Sequence, residues 1–324
     1  MLLKAVWFCV GLAGLYFGAG WLVRGAARLA RSFGVSPLVV GLTVVAFGTS
    51  APELVVSTVA AGRGNGALAL GNVVGSNVLN IALILGAAAV VRPLAVRMAL
   101  VFRESPMLAA AALALPVLGL DGTISRVDAA ILLTVFAGYL AFVVRSARLE
   151  SAAVGEEFRE FQAEEAIERR AEPRDSSRLP NVGWTLLGIG TLLVGAQMMV
   201  DSAVFFARVL GMSDLVVGLT VVALGTSLPE LATSTVAARR GEADIALGNA
   251  LGSNIFNVFY ILAAAALVRP IAVDPALFRF EVPVLIGLSL LFPLLAATRR
   301  RIGRLEGGLL LACYAAFTAI LLMR

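Results

Sequence analysis

The 324-residue sequence predicts an all-α integral membrane protein, ten transmembrane helices arranged as two inverted five-helix repeats with broken helices at the midplane. Three observations predict this fold. Hydrophobic residues make up 60% of the chain and charged residues 15%, with a mean hydropathy of +0.93; soluble domains carry roughly 45–50% and about 25%. Apolar runs long enough to cross a bilayer, about 20 residues each, recur along the whole length. Residues 36–96 and 213–273 agree at 41 of 61 positions without a gap, at a constant offset of 177. The composition excludes a secreted enzyme, a cytosolic enzyme and a nucleic-acid binder.

The expected spans lie near 4–27, 36–61, 67–91, 99–119 and 125–145, then 182–207, 213–238, 244–268, 277–297 and 304–323. The opening run MLLKAVWFCVGLAGLYFGAGWLV has no small-residue cleavage signal and reads as a first span. The second and seventh spans carry GLTVVAFGTSAPEL (41–54) and GLTVVALGTSLPEL (218–231). The third and eighth carry ALGNVVGSNVLN (69–80) and ALGNALGSNIFN (246–257). Glu/Arg-rich residues 148–179 divide a first repeat, 1–147, from a second, 180–324, and read as a short surface helix or a flexible linker. Five crossings per repeat is an odd number, so the second copy enters the bilayer from the opposite side. Inverted repeats with broken helices and a midplane site are the architecture of secondary transporters.

Charge sets the orientation. With both termini outside, 19 of the 26 Lys and Arg residues fall on inner loops, as positive-inside topology requires. The 148–179 loop is then cytoplasmic and the protein a multi-pass cell-membrane protein. Net charge is +5, with the cations spread over span ends rather than gathered in a stripe. The chain has no histidine, and its two cysteines, Cys9 and Cys313, lie in apolar runs near opposite ends. Imidazole and thiolate are therefore missing from any metal site. No cofactor, nucleic acid or obligate protein partner is expected; the lipid bilayer is the surrounding partner.

Pro52 and Pro229 sit mid-span, where proline removes a backbone donor and clashes with the carbonyl four residues earlier, at Gly48 and Gly225. The expected result is a broken helix whose carbonyls, around Ala46–Thr49 and Ala223–Thr226, point into a protected cavity. Glu53 and Glu230 follow each break. An acid at that depth costs about 2.5–3.5 kcal/mol on insertion scales, so two at equivalent positions imply a bound cation. Thr49 and Thr226 precede the acids by four residues and share their helix face. Ser76 with Asn80, and Ser253 with Asn257, add hydroxyl and amide oxygens from the third and eighth spans. Such an oxygen-only set suits calcium, which takes 6–8 oxygens. Two carboxylates are neutralised equally by one Ca²⁺, two monovalent cations or two protons, which is a physical basis for exchange.

The paired GTSxPE and GNxxGSNxxN segments resemble the alpha repeats of the sodium/calcium exchanger family, within the calcium/cation antiporter superfamily, and the short central loop is similar to its prokaryotic members. The resemblance implies ten helices, alternating access with the first and sixth helices sliding against a core, and Ca²⁺ exported in exchange for Na⁺. Matched by motif, it implies as ion ligands the Ala46 and Ala223 carbonyls, Thr49, Ser50, Glu53, Ser76 and Asn80, with Thr226, Ser227, Glu230, Ser253 and Asn257. Some members carry aspartate where this chain has Asn257. The site therefore has at most two formal negative charges, which leaves open the number of sodium ions and the choice between Na⁺ and H⁺. The proton-coupled plant and fungal branch reads GNxxE where this chain reads GTSxPE, which favours sodium.

Plainer readings apply elsewhere. Ser57, Thr58, Ser234 and Thr235 read as packing or back-bonded residues. Gly71, Gly75, Gly248 and Gly252 permit close helix packing. Asn72, Asn77, Asn249 and Asn254 stand equally between interhelical bonding and the ion site. Arg24 and Asp201, equivalent positions in the two halves, read as interfacial, and Glu104 and Glu281, near span ends, as solvated or gating. The rival functions are a proton-coupled Ca²⁺ exchanger, more remotely a cation channel, and an intramembrane hydrolase using Ser50 or Ser227, for which no histidine exists to serve as base.

Overall fold

The computed structural model describes residues 1–165, 178–210 and 223–323. The helices are α1 (Leu2–Phe33), α2 (Pro37–Thr49), α3 (Ala51–Gly62), α4 (Gly66–Val91), α5 (Met98–Leu118), α6 (Arg126–Glu165), α7 (Arg178–Val209), α8 (Ala223–Thr226), α9 (Leu228–Arg240), α10 (Ala243–Val268), α11 (Glu281–Arg299) and α12 (Arg304–Met323). Among the described residues, seven helices are long and apolar enough to cross a membrane, or eight if the bent pair α2–α3 is one span. The apolar stretch at the expected ninth span, Glu281–Ala297, is shorter than a full crossing of that kind. The seventh expected span is described only from Ala223 onward, and Ala223 there opens the short α8. Of the stretch expected as a linker, residues 148–165 continue α6 as helix and 166–177 lie outside the described residues.

Elements repeat at the sequence offset. Gly66–Val91 and Ala243–Val268 match end to end at 177, and each contains a π-helical turn opening on an asparagine, Asn80–Ile84 and Asn257–Leu262. These two helices form the centre, with 78% of their most apolar windows buried, against 17–44% for the other spans. Two small antiparallel strand pairs join the halves. β1 (Leu94–Ala95) pairs with β4 (Arg301–Ile302), and β2 (Thr123–Ile124) with β3 (Ile271–Ala272).

The helix α1 runs alongside α7 at backbone contact. A Cβ added at Gly188 would collide with the Leu22 backbone N, and one at Gly11 would lie 2.7 Å from the Gly195 carbonyl oxygen. In a lipid environment, where apolar surface gains nothing from leaving water, such close backbone approach is what holds a helix pair together. Gly188→Ala should therefore lower the melting temperature of the detergent-solubilised protein by several degrees, since overpacking costs about 1–3 kcal/mol. Gly190→Ala, at a position with nothing within 4 Å of the added Cβ, should leave it unchanged.

Candidate functional site

The break between α2 and α3 bends the chain by 48° and is one residue long. Ser50 has φ −82° and ψ 10°, and its counterpart Ser227, between α8 and α9, has φ −94° and ψ 9°. Pro52 and Pro229 then fall in the first turn of the resumed helix, where the missing N–H has no partner to lose. The acids Glu53 and Glu230 also lie in that first turn, where the helix dipole favours negative charge. The proline thus restarts the helix as much as it breaks the preceding one. One expectation needs correction: the Ala46 carbonyl is not freed, because the Ser50 N–H bonds to it at 3.0 Å. Proline at position 52 removes the donor opposite Gly48, not Ala46.

Both acids are buried, at 1% exposure each, and each is held by a serine from the other half. Ser227 Oγ donates to Glu53 Oε1 at 2.8 Å, and Ser50 Oγ donates to Glu230 Oε1 at 2.9 Å. Ser50 Oγ also lies 3.0 Å from Ser253 Oγ. Thr49 Oγ1 has three acceptors in reach, Asn249 Oδ1 at 3.0 Å and the Val45 and Ala46 carbonyls at 3.1 and 3.3 Å. Thr226 and Ser76 are buried as well. The hydrogen bonds thus join Glu53 to Ser227 on one flank, and Glu230, Ser50 and Ser253 on the other, all of them residues named from the sequence.

The second oxygen of each carboxylate is different. Among the described residues, Glu53 Oε2 and Glu230 Oε2 are buried with no hydrogen-bond partner, and so are Asn80 Oδ1 and Asn257 Oδ1. A buried polar atom without a partner costs about 1–3 kcal/mol, and each calls for a physical reason. These four are oxygens, two of carboxyl groups and two of amides, and they form two repeat-related pairs. What they lack in common is a positive group.

A network of asparagines sets their direction. Asn257 Nδ2 donates to Asn77 Oδ1 at 2.9 Å, and Asn80 Nδ2 donates to Asn254 Oδ1 at 3.1 Å. Tying down each amide nitrogen across the two halves leaves its oxygen free of that bond. Asn72 Nδ2 reaches the Glu53 carbonyl and Ser57 Oγ, and Asn249 Nδ2 reaches the Glu230 carbonyl and Ser234 Oγ. Asn72, Asn77, Asn249 and Asn254 therefore brace the helices that bear the acids and the amides. The sequence does not distinguish this role from ion binding, and the available signal is their strict recurrence at 177. Thr58 and Thr235 bond back to the carbonyls of Leu54 and Leu231. Glu104 corrects another expectation. It is fully buried, accepting hydrogen bonds from Tyr139 Oη at 2.7 Å and Arg103 Nε at 3.1 Å, so it is not a solvated span-end acid.

The family profile described as sodium/calcium exchanger protein matches residues 3–145 and 180–323. The chain belongs to the sodium/calcium exchanger family. Exchanger-family relatives of similar length include the sodium/calcium exchanger MaX1 of Methanosarcina acetivorans, 34% identical over 97% of this chain and 98% of that one. The inner membrane protein YrbG of Escherichia coli is 39% identical over 99% of this chain and 97% of its own. Solved structures of the sodium-calcium exchanger NCX_Mj superpose with a TM-score of 0.82 at 34% identity, covering 99% of both chains, when soaked with zero Na⁺ and Ca²⁺. With 2.5 mM Na⁺ and 0.1 mM Ca²⁺ the TM-score is 0.81 at 34% identity over 98% of both. This exchanger is accordingly a membrane transporter of prokaryotic type.

The cross-half amide bonds can be tested apart from transport. Asn77→Leu and Asn254→Leu each strand a buried amide, at a cost of about 1–3 kcal/mol. Each variant should melt lower, and millimolar Ca²⁺, expected to raise the melting temperature of the parent, should raise that of each variant much less; an equal rise in parent and both variants would remove the asparagines from the alignment of the site.

Proposed function

We propose that this exchanger is a secondary antiporter that moves Ca²⁺ against Na⁺ across the cell membrane by alternating access at a midplane site of oxygen ligands. The supporting observation is the set of four buried acceptor oxygens, on Glu53, Glu230, Asn80 and Asn257, that have no donor. The ion ligands in this reading are those four side chains with Thr49, Ser50, Ser76, Thr226, Ser227, Ser253 and the carbonyls of Ala46 and Ala223. The Ala46 carbonyl keeps a lone pair for this purpose beside its bond to the Ser50 N–H when Thr49 donates to Asn249 Oδ1 or the Val45 carbonyl instead. Ser50 and Ser227 donate to the acids and so keep their own lone pairs for a cation.

Transport follows from charge. An empty site leaves two carboxylates in a low-dielectric interior, a state that costs several kcal/mol per ion. One Ca²⁺ or a set of Na⁺ ions removes that cost, so the protein changes its side of access readily only when loaded. The surrounding fold in this proposal is ten spans in two inverted repeats, 1–147 and 180–324, joined by a cytoplasmic segment at 148–179, with both termini outside. Inversion makes the two access routes structurally equivalent, which is what alternating access requires. Relatives bearing the name sodium/calcium exchanger support Na⁺ as the counter-ion.

Asn257 favours a second reading. Two carboxylates carry at most two charges, which two protons discharge as well as one Ca²⁺ does, so coupling to H⁺ is the alternative. In proteoliposomes loaded with ⁴⁵Ca²⁺, an opposing Na⁺ gradient should drive flux at a fixed pH, and a pH gradient without Na⁺ should not; the reverse result selects the proton. Glu53→Gln and Glu230→Gln should each reduce Ca²⁺ flux to the level of empty vesicles while inserting normally. Asn257→Asp adds a third charge and should change the Na⁺ concentration needed for half-maximal competition against Ca²⁺ by about ten-fold or more, as a unit charge in such a site is worth more than about 1.4 kcal/mol.

A further inference from the structure

A second polar cavity lies away from the acids, at the side of the α1–α7 pair. It encloses about 220 Å³ and is lined by Trp21, Arg24, Gly25, Arg28 and Trp184, room for about seven waters at about 30 Å³ each. Its walls are fixed by packing. The Trp21 and Trp184 rings stand 6.1 Å apart, and a Cβ added to Gly25 would lie 2.6 Å from Thr185 Oγ1.

Cations converge on it. Arg24 and Arg28 are four apart on α1, hence on one face. Arg240, at the end of α9, does not line the cavity but meets Arg24 beside it: Arg240 Nη1 donates to the Gly20 carbonyl at 2.6 Å, and Arg24 Nε donates to that carbonyl at 3.1 Å. Two guanidinium groups therefore share one acceptor oxygen, close enough to repel each other. Glu242 and Tyr16 are within electrostatic reach of Arg240. None of the three arginines forms an ion pair with a carboxylate among the described residues. A Cβ at position 20 would lie 2.7 Å from Arg240 Nη2, so the guanidinium packs directly against this glycine.

All three arginines are exposed, so together they gather positive charge at one side of α1 with the guanidinium groups open to an incoming anion. Guanidinium forks match phosphate oxygens in bidentate geometry. Tryptophan and arginine together mark the headgroup depth of a membrane, the depth expected at residues 24–28 where the first span ends, and basic pockets between transmembrane helices are suited to anionic headgroups. We propose that Arg24, Arg28 and Arg240, framed by Trp21 and Trp184, form a binding site for a phosphate-bearing anion. The phosphate can come from a bilayer phospholipid of net negative headgroup, such as phosphatidylglycerol, or from free inorganic phosphate; a zwitterionic choline headgroup brings its own cation to the arginines and is disfavoured. Since α9 begins with the segment that carries Glu230 and ends at Arg240, an anion there would bind the helix of the candidate cation site to α1.

The cavity supplies its own reporters, because the chain has three tryptophans and two of them line it. The full-length protein carrying Trp7→Phe is placed in phosphatidylcholine vesicles, and its fluorescence is quenched with brominated phosphatidylglycerol or brominated phosphatidylcholine. A lipid-derived phosphate predicts preferential quenching by the glycerol lipid, with the preference falling about five-fold for each arginine removed in Arg24→Gln and Arg24→Gln/Arg28→Gln. A free anion predicts instead equal quenching by both lipids and a saturable fluorescence change on adding inorganic phosphate, again lost in the double variant. The proposal is overturned if the parent shows neither response, or if either response survives unchanged in the double variant. The comparison of lipids in the parent is decisive even if a variant fails to insert, and no readout depends on Ca²⁺ or Na⁺ transport.

Discussion

Two carboxylates shut inside an apolar protein, each left with one oxygen unsatisfied, are the constraint to which the rest of the structure answers. Glu53 and Glu230 are 1% exposed, and charge at such depth is tolerated only with compensation. Part of the compensation is internal. Each acid sits in the first turn of a helix that proline restarts, and each receives a serine hydroxyl across the interface between halves. The remainder is missing among the described residues, where Glu53 Oε2 and Glu230 Oε2 have no donor. Satisfying one oxygen of each acid across the interface holds the acids in place, and in the proposed reading the other is kept for an exchangeable cation.

The same constraint accounts for interactions that run between halves rather than within them. Ser50 serves Glu230 and Ser227 serves Glu53; Asn77 orients Asn257 and Asn254 orients Asn80. Neither half can assemble its site alone. The strand pairs Leu94–Ala95 with Arg301–Ile302 and Thr123–Ile124 with Ile271–Ala272 follow the same reciprocal pattern. A cation held by both acids is therefore held by both halves, so loading the site and setting the arrangement of the halves become one event.

Much of this is legible in the sequence, for definite reasons. The acids and their serines stand out because GTSxPE occurs twice at one offset, and a proline beside an acid is rare in an apolar run unless a site needs both. The pairing of Ser50 with Glu230 rather than with its neighbour Glu53 is not legible, since a repeat reveals equivalence and not contact. Asn77 and Asn254 are ambiguous because a one-dimensional pattern does not separate an amide that faces an ion from one that turns that amide. The Ala46 carbonyl escapes sequence reasoning because the proline shows which N–H is lost, at position 52, and not that the Ser50 N–H still closes on Ala46. Glu104 looks like a span-end acid in the sequence because Tyr139, 35 residues away, gives no local sign of reaching it. Length limits the count of spans: Glu281–Ala297 is shorter than the usual crossing, and residues 211–222 lie outside those described.

The most direct measurement is the location of a heavy divalent congener in the protein by anomalous scattering, using crystals soaked with Sr²⁺ in place of Ca²⁺. One dominant peak is expected within about 2.3–2.6 Å, the range of Ca²⁺–oxygen bonds, of Glu53 Oε2 and Glu230 Oε2, with the Asn80 and Asn257 amide oxygens turned towards it. A peak bound elsewhere, with these four oxygens still unligated, would contradict it.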